Sequence, residues 1–200
     1  MPISKKLLKK LEEAKVAHEV VGHKKVFTAL DVAATLKVKL EQVVKSLLVK
    51  AGKDHYLALL PANKNLDFKK LAKVLGVDYK KVSIPKERVM ADKFKVKPGA
   101  MSAFGSFHKI PVVIDSGLVK AREAIFSSGS FVESIRMKVK DYLNLENPVV
   151  GSFGAARKVK SSPPSLKLPP PQKLRGTGRR AGKPKVKKRG ATRSKSRKRP

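Results

Sequence analysis

Residues 151–200 hold 18 of the chain's 47 lysines and arginines and none of its 15 acidic residues. The run "SSPPSLKLPPPQKLRGTGRRAGKPKVKKRGATRSKSRKRP" adds proline, glycine and serine, with only scattered apolar side chains. Such a composition cannot bury enough apolar surface to offset the entropy of ordering, so disorder in isolation is the expectation there. Folding is thereby confined to what precedes it. The expected division is a domain over residues 1–153 and a Pro/Lys/Arg-rich tail over 154–200. A segment of about 150 residues can bury roughly 70% of its unfolded surface, enough for one core.

The charge constrains partners as well as folding. The formal net charge is +32, and residues 1–150 still carry +14 of it. Both parts therefore favour a polyanionic partner over an acidic small molecule. Cysteine is absent, which excludes disulfides and thiol chemistry. No stretch approaches the roughly 18 apolar residues of a membrane span, so no membrane partner is expected and a cytoplasmic protein is. The four histidines, His18, His23, His55 and His108, lack metal-ligand spacing. No phosphate-binding glycine motif and no nucleophile elbow is present, so neither a metal nor a cofactor is expected.

Periodicity in the first 150 residues reads as a mixed α/β domain of the α+β type. Leu7, Leu8 and Leu11 fall at helical spacing within Ile3–Lys15, with Ser4 as candidate N-cap. A short strand fits Val16–Val21. "TALDVAATL" is a compact helix capped by Thr28, with Asp31 at the capping-box position. "QVVKSLLV" and "YLALLPA", separated by "AGKDH", read as a hairpin. "LDFKKLAKVLG" is a helix capped by Asp67 and ended by Gly76. A short strand near Val82–Ile84 and a helix after Pro85 lead to the loop "KPGAMSAFG". "IPVVID" suits a buried strand, "AIFSSGS" and "ESIRMKV" complete the sheet, and "KDYLNL" is read as the terminal helix.

One residue breaks this pattern. Side chains alternate across a strand, so Val43, Lys45, Leu47 and Val49 share a face, and Lys45 is the cation in an apolar row. A strand-end lysine whose ammonium snorkels to water is one reading. The other is an ammonium held in a partly apolar cleft, where a carbonyl oxygen or phosphate would feel it more strongly than in water. Gly99-Ala100-Met101-Ser102-Ala103-Phe104-Gly105 and Ser127-Ser128-Gly129-Ser130 are stretches rich in small residues: either an ordinary interstrand loop and a bend at a sheet edge, or two walls of a pocket where backbone can pass close to a ligand.

The order of these pieces, from the "TA-x-x-x-AA" helix through "QVVKSLLV", "LDFKKLAKVLG", "KPGAMSAFG", "IPVVID" and "SSGS", resembles the YbaK/prolyl-tRNA synthetase-associated editing-domain family over most of residues 10–150. That resemblance implies a mixed, largely antiparallel sheet with packed helices. It also implies trans-editing: hydrolysis of the ester joining a wrong amino acid to the 3′ end of a tRNA. Lys45 then takes the place of the family's functional lysine, binding the aminoacyl carbonyl or the terminal phosphate region. Gly99 and Ser102 fall in the catalytic glycine loop, whose N–H groups would stabilise the oxyanion or orient water. Thr28, Ala100, Met101, Ala103, Ser128 and Gly129 take substrate-binding positions. The family loop has the pattern G-x-x-x-P, and this chain has Ala103 where that proline stands. Ser130 and Phe131 follow Gly129, where some relatives have histidine.

The implied partner is mischarged tRNA, with a synthetase or ribosome as further candidates. Arg179, Arg180, Lys187, Lys188 and Arg189 in the tail are candidate phosphate contacts that would raise affinity without reading sequence. "KPKVKKRG" and "RSKSRKRP" equally resemble nuclear-localisation runs. A non-catalytic RNA- or synthetase-binding module of the same fold is the alternative reading of the whole chain.

Overall fold

The computed structural model describes residues 3–97 and 99–157. The tail residues Arg179, Arg180, Lys187, Lys188 and Arg189 lie outside the described residues.

Helix α1 (Lys5–Glu13) buries Leu7 and Leu11 completely; Ser4 stands at its N-cap but makes no capping bond. Strand β1 (His18–Gly22) leads to α2 (Ala29–Leu36). The Thr28 hydroxyl accepts from the Asp31 amide and donates to the Asp31 carboxylate, fixing where α2 starts. A 3-10 turn at Leu40–Gln42 feeds β2 (Val44–Ala51), which pairs antiparallel with β3 (Asp54–Pro61) over its whole length. Strand β4 (Lys64–Leu66) precedes α3 (Phe68–Leu75), where the Asp67 carboxylate accepts the Lys69 and Lys70 amides. Gly76 closes α3 at φ +66°, the left-handed conformation that favours glycine.

Strand β5 (Val82–Ser83), α4 (Glu87–Phe94) and the single turn α5 (Gly105–His108) follow, with the glycine loop between the two helices. Strand β6 (Val112–Asp115) is buried at every residue and runs into the turn α6 (Ser116–Val119). Strands β7 (Glu123–Ser127) and β8 (Glu133–Lys138) then lead to α7 (Val139–Glu146). The sequence predicts that helix to be the terminal element, and the structure corrects this. Strands β9 (Val149–Gly151) and β10 (Gly154–Ala156) come after it, each too short to show a periodicity.

The strands form three sheets among the described residues, ordered β5-β2-β3-β6-β9, β1-β8-β7 and β10-β4. Hence "AIFSSGS" and "ESIRMKV" do not complete the hairpin's sheet but build a second, antiparallel one with β1. Among the described residues a single bridge, from Val43 just before β2 to Ile125, links the hairpin's sheet to that second sheet. Alternation then decides burial. Val44, Leu48, Leu57, Leu59 and Ile114 face one core, shared with Phe126, Ile135 and Tyr142. Val49, Ala51, Ala58, Leu60 and Val113 face the opposite core, against Leu71 of α3 and Phe153. Because β2 is covered on both faces, its polar residues can find room only along an open edge.

Candidate active site

That open edge borders the candidate site. Among the described residues strand β2 pairs with β5 only at Lys50 and Ala51, and Val43, just before it, bridges Ile125 of β7. Between those contacts the edge of Val44–Leu48 borders a cleft of about 390 Å³. Phe27 and Thr28 at the start of α2, Met90 of α4, Gly99 and Met101 of the loop, and Ser127 and Ser134 of the second sheet complete its walls.

Lys45 lines this cleft and is neither snorkelled to water nor deeply buried. Its ammonium donates to the Lys64 carbonyl at 2.6 Å. Burial lowers its pKa, and the nearby positive charge of Arg157 lowers it further. The Lys64 side chain in turn donates to the Asp115 carboxylate at 2.8 Å. Asp115 is fully buried and also accepts the Gly117, Phe153 and Gly154 amides, so it ties β10 to β6 and holds the Lys64 side chain. Burial alone would raise its pKa, but the Lys64 ammonium and the three amides outweigh that and lower it.

The loop residues divide. Gly99 and Met101 line the cleft. Gly99 has φ +79°, and a Cβ there would lie 3.0 Å from the Phe27 carbonyl oxygen, so the position requires glycine. The Ala100 amide donates to the Lys97 carbonyl and the Ala103 amide to the Ser127 carbonyl. Ser102 does not face the cleft as a free hydroxyl: it is 2% exposed, and its Oγ is 2.9 Å from His108 Nε2. Burial keeps the His108 pKa low, so that ring is neutral and braces the loop. Ala103, in the proline position, is fully buried, and its carbonyl accepts from the Tyr142 hydroxyl.

Ser128 and Gly129 stand behind the wall. The Ser128 hydroxyl donates to the Glu133 carbonyl and accepts the Ser130 amide. Gly129, at φ +87°, lets the turn close against the Ala100 carbonyl and Ser102; a Cβ would sit 3.3 and 3.5 Å from them. Thr28, Lys45, Gly99 and Met101 therefore meet at one cleft, while Ala100, Ser102, Ala103, Ser128 and Gly129 hold its back wall.

Sequence reasoning missed two hydroxyls. Ser46 lines the cleft, and its Oγ is buried with no hydrogen-bond partner among the described residues. It follows Lys45 and so belongs to the opposite face of β2; only an open strand edge brings both to one cleft. Ser134 enters from β8, and its position depends on a sheet register that the sequence does not display.

The sequence profile of the family described as aminoacyl-tRNA editing domain matches residues 23–160. A proline–tRNA ligase of Thermosipho melanesiensis is 31% identical over 107 residues, covering 54% of this chain and 18% of the ligase. The chain thus spans less than a fifth of that relative's length. The prolyl-tRNA editing protein ProX of Acetoanaerobium sticklandii is 26% identical over 125 residues, covering 60% of this chain and 75% of that protein. Among solved structures, a protein proposed as a trans-editing enzyme for prolyl tRNA synthetase superposes with a TM-score of 0.66 at 20% identity, over 78% of this chain and all of that one. A scaffold from an epitope-grafting design superposes at 0.68 and 22% identity, over 78% of this chain and 99% of the scaffold. These structures share the fold.

Proposed function

The chain belongs to the aminoacyl-tRNA editing domain family, and from that premise we propose that it is a trans-acting deacylase that hydrolyses the ester of mischarged tRNA. The observation that carries the reading is the convergence of Lys45 with Gly99 on one cleft at the open edge of β2. An aminoacyl ester is already activated, so orientation and charge stabilisation can supply much of the catalysis without a strong nucleophile.

In this reading the partly desolvated Lys45 ammonium binds the aminoacyl carbonyl or the terminal phosphate region. It gives up, or shares, its bond to the Lys64 carbonyl. With the Ala100 and Ala103 amides engaged by other backbone carbonyls, the Gly99, Met101 and Ser102 amides, which have no backbone partner among the described residues, are the loop donors offered to a developing oxyanion. The absent proline is offset by Tyr142 and Ser127, which fix Ala103 from both sides. This supports retained catalysis over a purely binding role. The basic segment beyond Arg157 then supplies phosphate contacts to the tRNA body, with a synthetase as a further partner.

The test is deacylation of a panel of mischarged tRNAs, including alanyl-, cysteinyl- and seryl-tRNA species. Hydrolysis of at least one well above the spontaneous rate is expected. Tight tRNA binding without hydrolysis of any ester would replace the deacylase by the binding module.

A further inference from the structure

The β8 wall of the cleft carries Ser134, only 4% exposed, whose Oγ lies 2.9 Å from His23 Nε2. The other ring nitrogen of His23, Nδ1, lies 2.9 Å from the Lys24 carbonyl oxygen. A carbonyl can only accept, so Nδ1 carries the ring proton, and in the neutral imidazole Nε2 is then the acceptor. Ser134 therefore donates to His23, which leaves the lone pairs of its oxygen for a donor in the cleft. Backbone pairing fixes the arrangement: Ser134 sits opposite Val21 of β1, and the His23 amide donates to the Val132 carbonyl at 2.8 Å.

A hydroxyl bonded to a base, which is itself oriented by a third group, is the geometry that moves protons in acyl transfer. The pair differs from Ser102 and His108, where neither residue lines the cleft. We propose that Ser134 and His23 form the proton relay of this site, an inference that rests on the deacylase reading above. Ser134 is too enclosed within β8 to form an acyl bond itself, but its oxygen can reach a water.

The water oxygen bonds to the ester carbonyl carbon. Its proton passes to Ser134 Oγ as the Ser134 proton moves to His23 Nε2. When the tetrahedral intermediate collapses, the bond from carbon to the ribose oxygen breaks. The proton returns through Ser134 to that oxygen, releasing the amino acid and a free tRNA hydroxyl. His23 is thus a positioning and proton-holding residue acting through Ser134.

The experiment compares wild type, Ser134→Ala, His23→Ala and His23→Gln on the mischarged tRNA that wild type hydrolyses fastest. His23→Gln can still accept from Ser134 but cannot take its proton, which covers the case in which His23→Ala fails to fold. General acid–base groups contribute about 10²–10⁴-fold, so kcat should fall at least about 100-fold in each folded variant, with KM within about twofold. Added imidazole should restore hydrolysis to His23→Ala and not to Ser134→Ala. A kcat for folded His23→Gln or Ser134→Ala within about threefold of wild type overturns the relay and leaves the deacylase standing. Loss of activity with a raised KM and no imidazole rescue also overturns it, as a structural role. A wild type that hydrolyses no ester overturns both readings.

Discussion

Replacing Asp115 by asparagine should weaken the domain and its site together. Asp115 Oδ1 accepts from the Lys64 ammonium at 2.8 Å and the Gly117 amide at 3.0 Å. Its Oδ2 accepts from the Phe153 and Gly154 amides at 2.9 and 2.7 Å. Asparagine keeps one carbonyl oxygen. Placed toward Phe153 and Gly154, it turns an NH₂ group against two donors. Each donor left unsatisfied in a buried site costs about 1–3 kcal/mol. The Lys64 side chain is 30% exposed and can turn to water, which holds its share near the low end. The sum is about 2–4 kcal/mol, against a total stability of about 5–15 kcal/mol for a typical domain.

Urea unfolding reads this as a lower midpoint at unchanged slope. The sign with pH follows from the depressed pKa: the carboxylate's contribution is present above the ordinary aspartate range and is lost as pH falls through the lower folded value. Asparagine has no such titration, so the gap between the two proteins should hold from neutral pH down to about pH 4 and narrow below it. A loss under about 0.5 kcal/mol, or a gap that does not change on acidification, would refute the reasoning.

Gly99→Ala must adopt φ +79° with its Cβ at the Phe27 carbonyl. It should lose about 1–2 kcal/mol by thermal or urea unfolding and bind substrate less well. Tyr142→Phe removes the donor to the buried Ala103 carbonyl. It should lose about 1–3 kcal/mol, with a larger fall in kcat than in tRNA affinity. Truncation after Arg157 keeps the cation beside Lys45. It should weaken tRNA binding, flatten its dependence on salt and leave turnover at saturation within about twofold, as filter binding and single-turnover kinetics would read.

Local chemistry was the legible part of the fold. Thr28, Asp67 and Gly76 announce helix ends because caps act over three or four residues, and each does what its position predicts. Strand pairing was legible for the hairpin of β2 and β3, where a short turn dictates it, but not beyond it. Alternation in "AIFSSGS" marks a strand but not its partner, and the partner turned out to be β8 beside β1. The site divides the same way. Lys45 stood out as a cation in an apolar row, and Gly99 as a glycine in a tight loop. Asp115 and Lys64, by contrast, are 51 residues apart in the chain, and His23 and Ser134 are 111 apart. No local pattern links such pairs; only the sheet registers do.

The central claim is that a partly desolvated Lys45 serves ester hydrolysis, and the most direct measurement is the single-turnover deacylation rate of wild type and Lys45→Ala on the same mischarged tRNA. Folding is checked by circular dichroism. A loss of about 100-fold or more in a folded variant is the predicted result, since one electrostatic donor at the reacting centre contributes about that much. A folded Lys45→Ala protein that deacylates at the wild-type rate would contradict it.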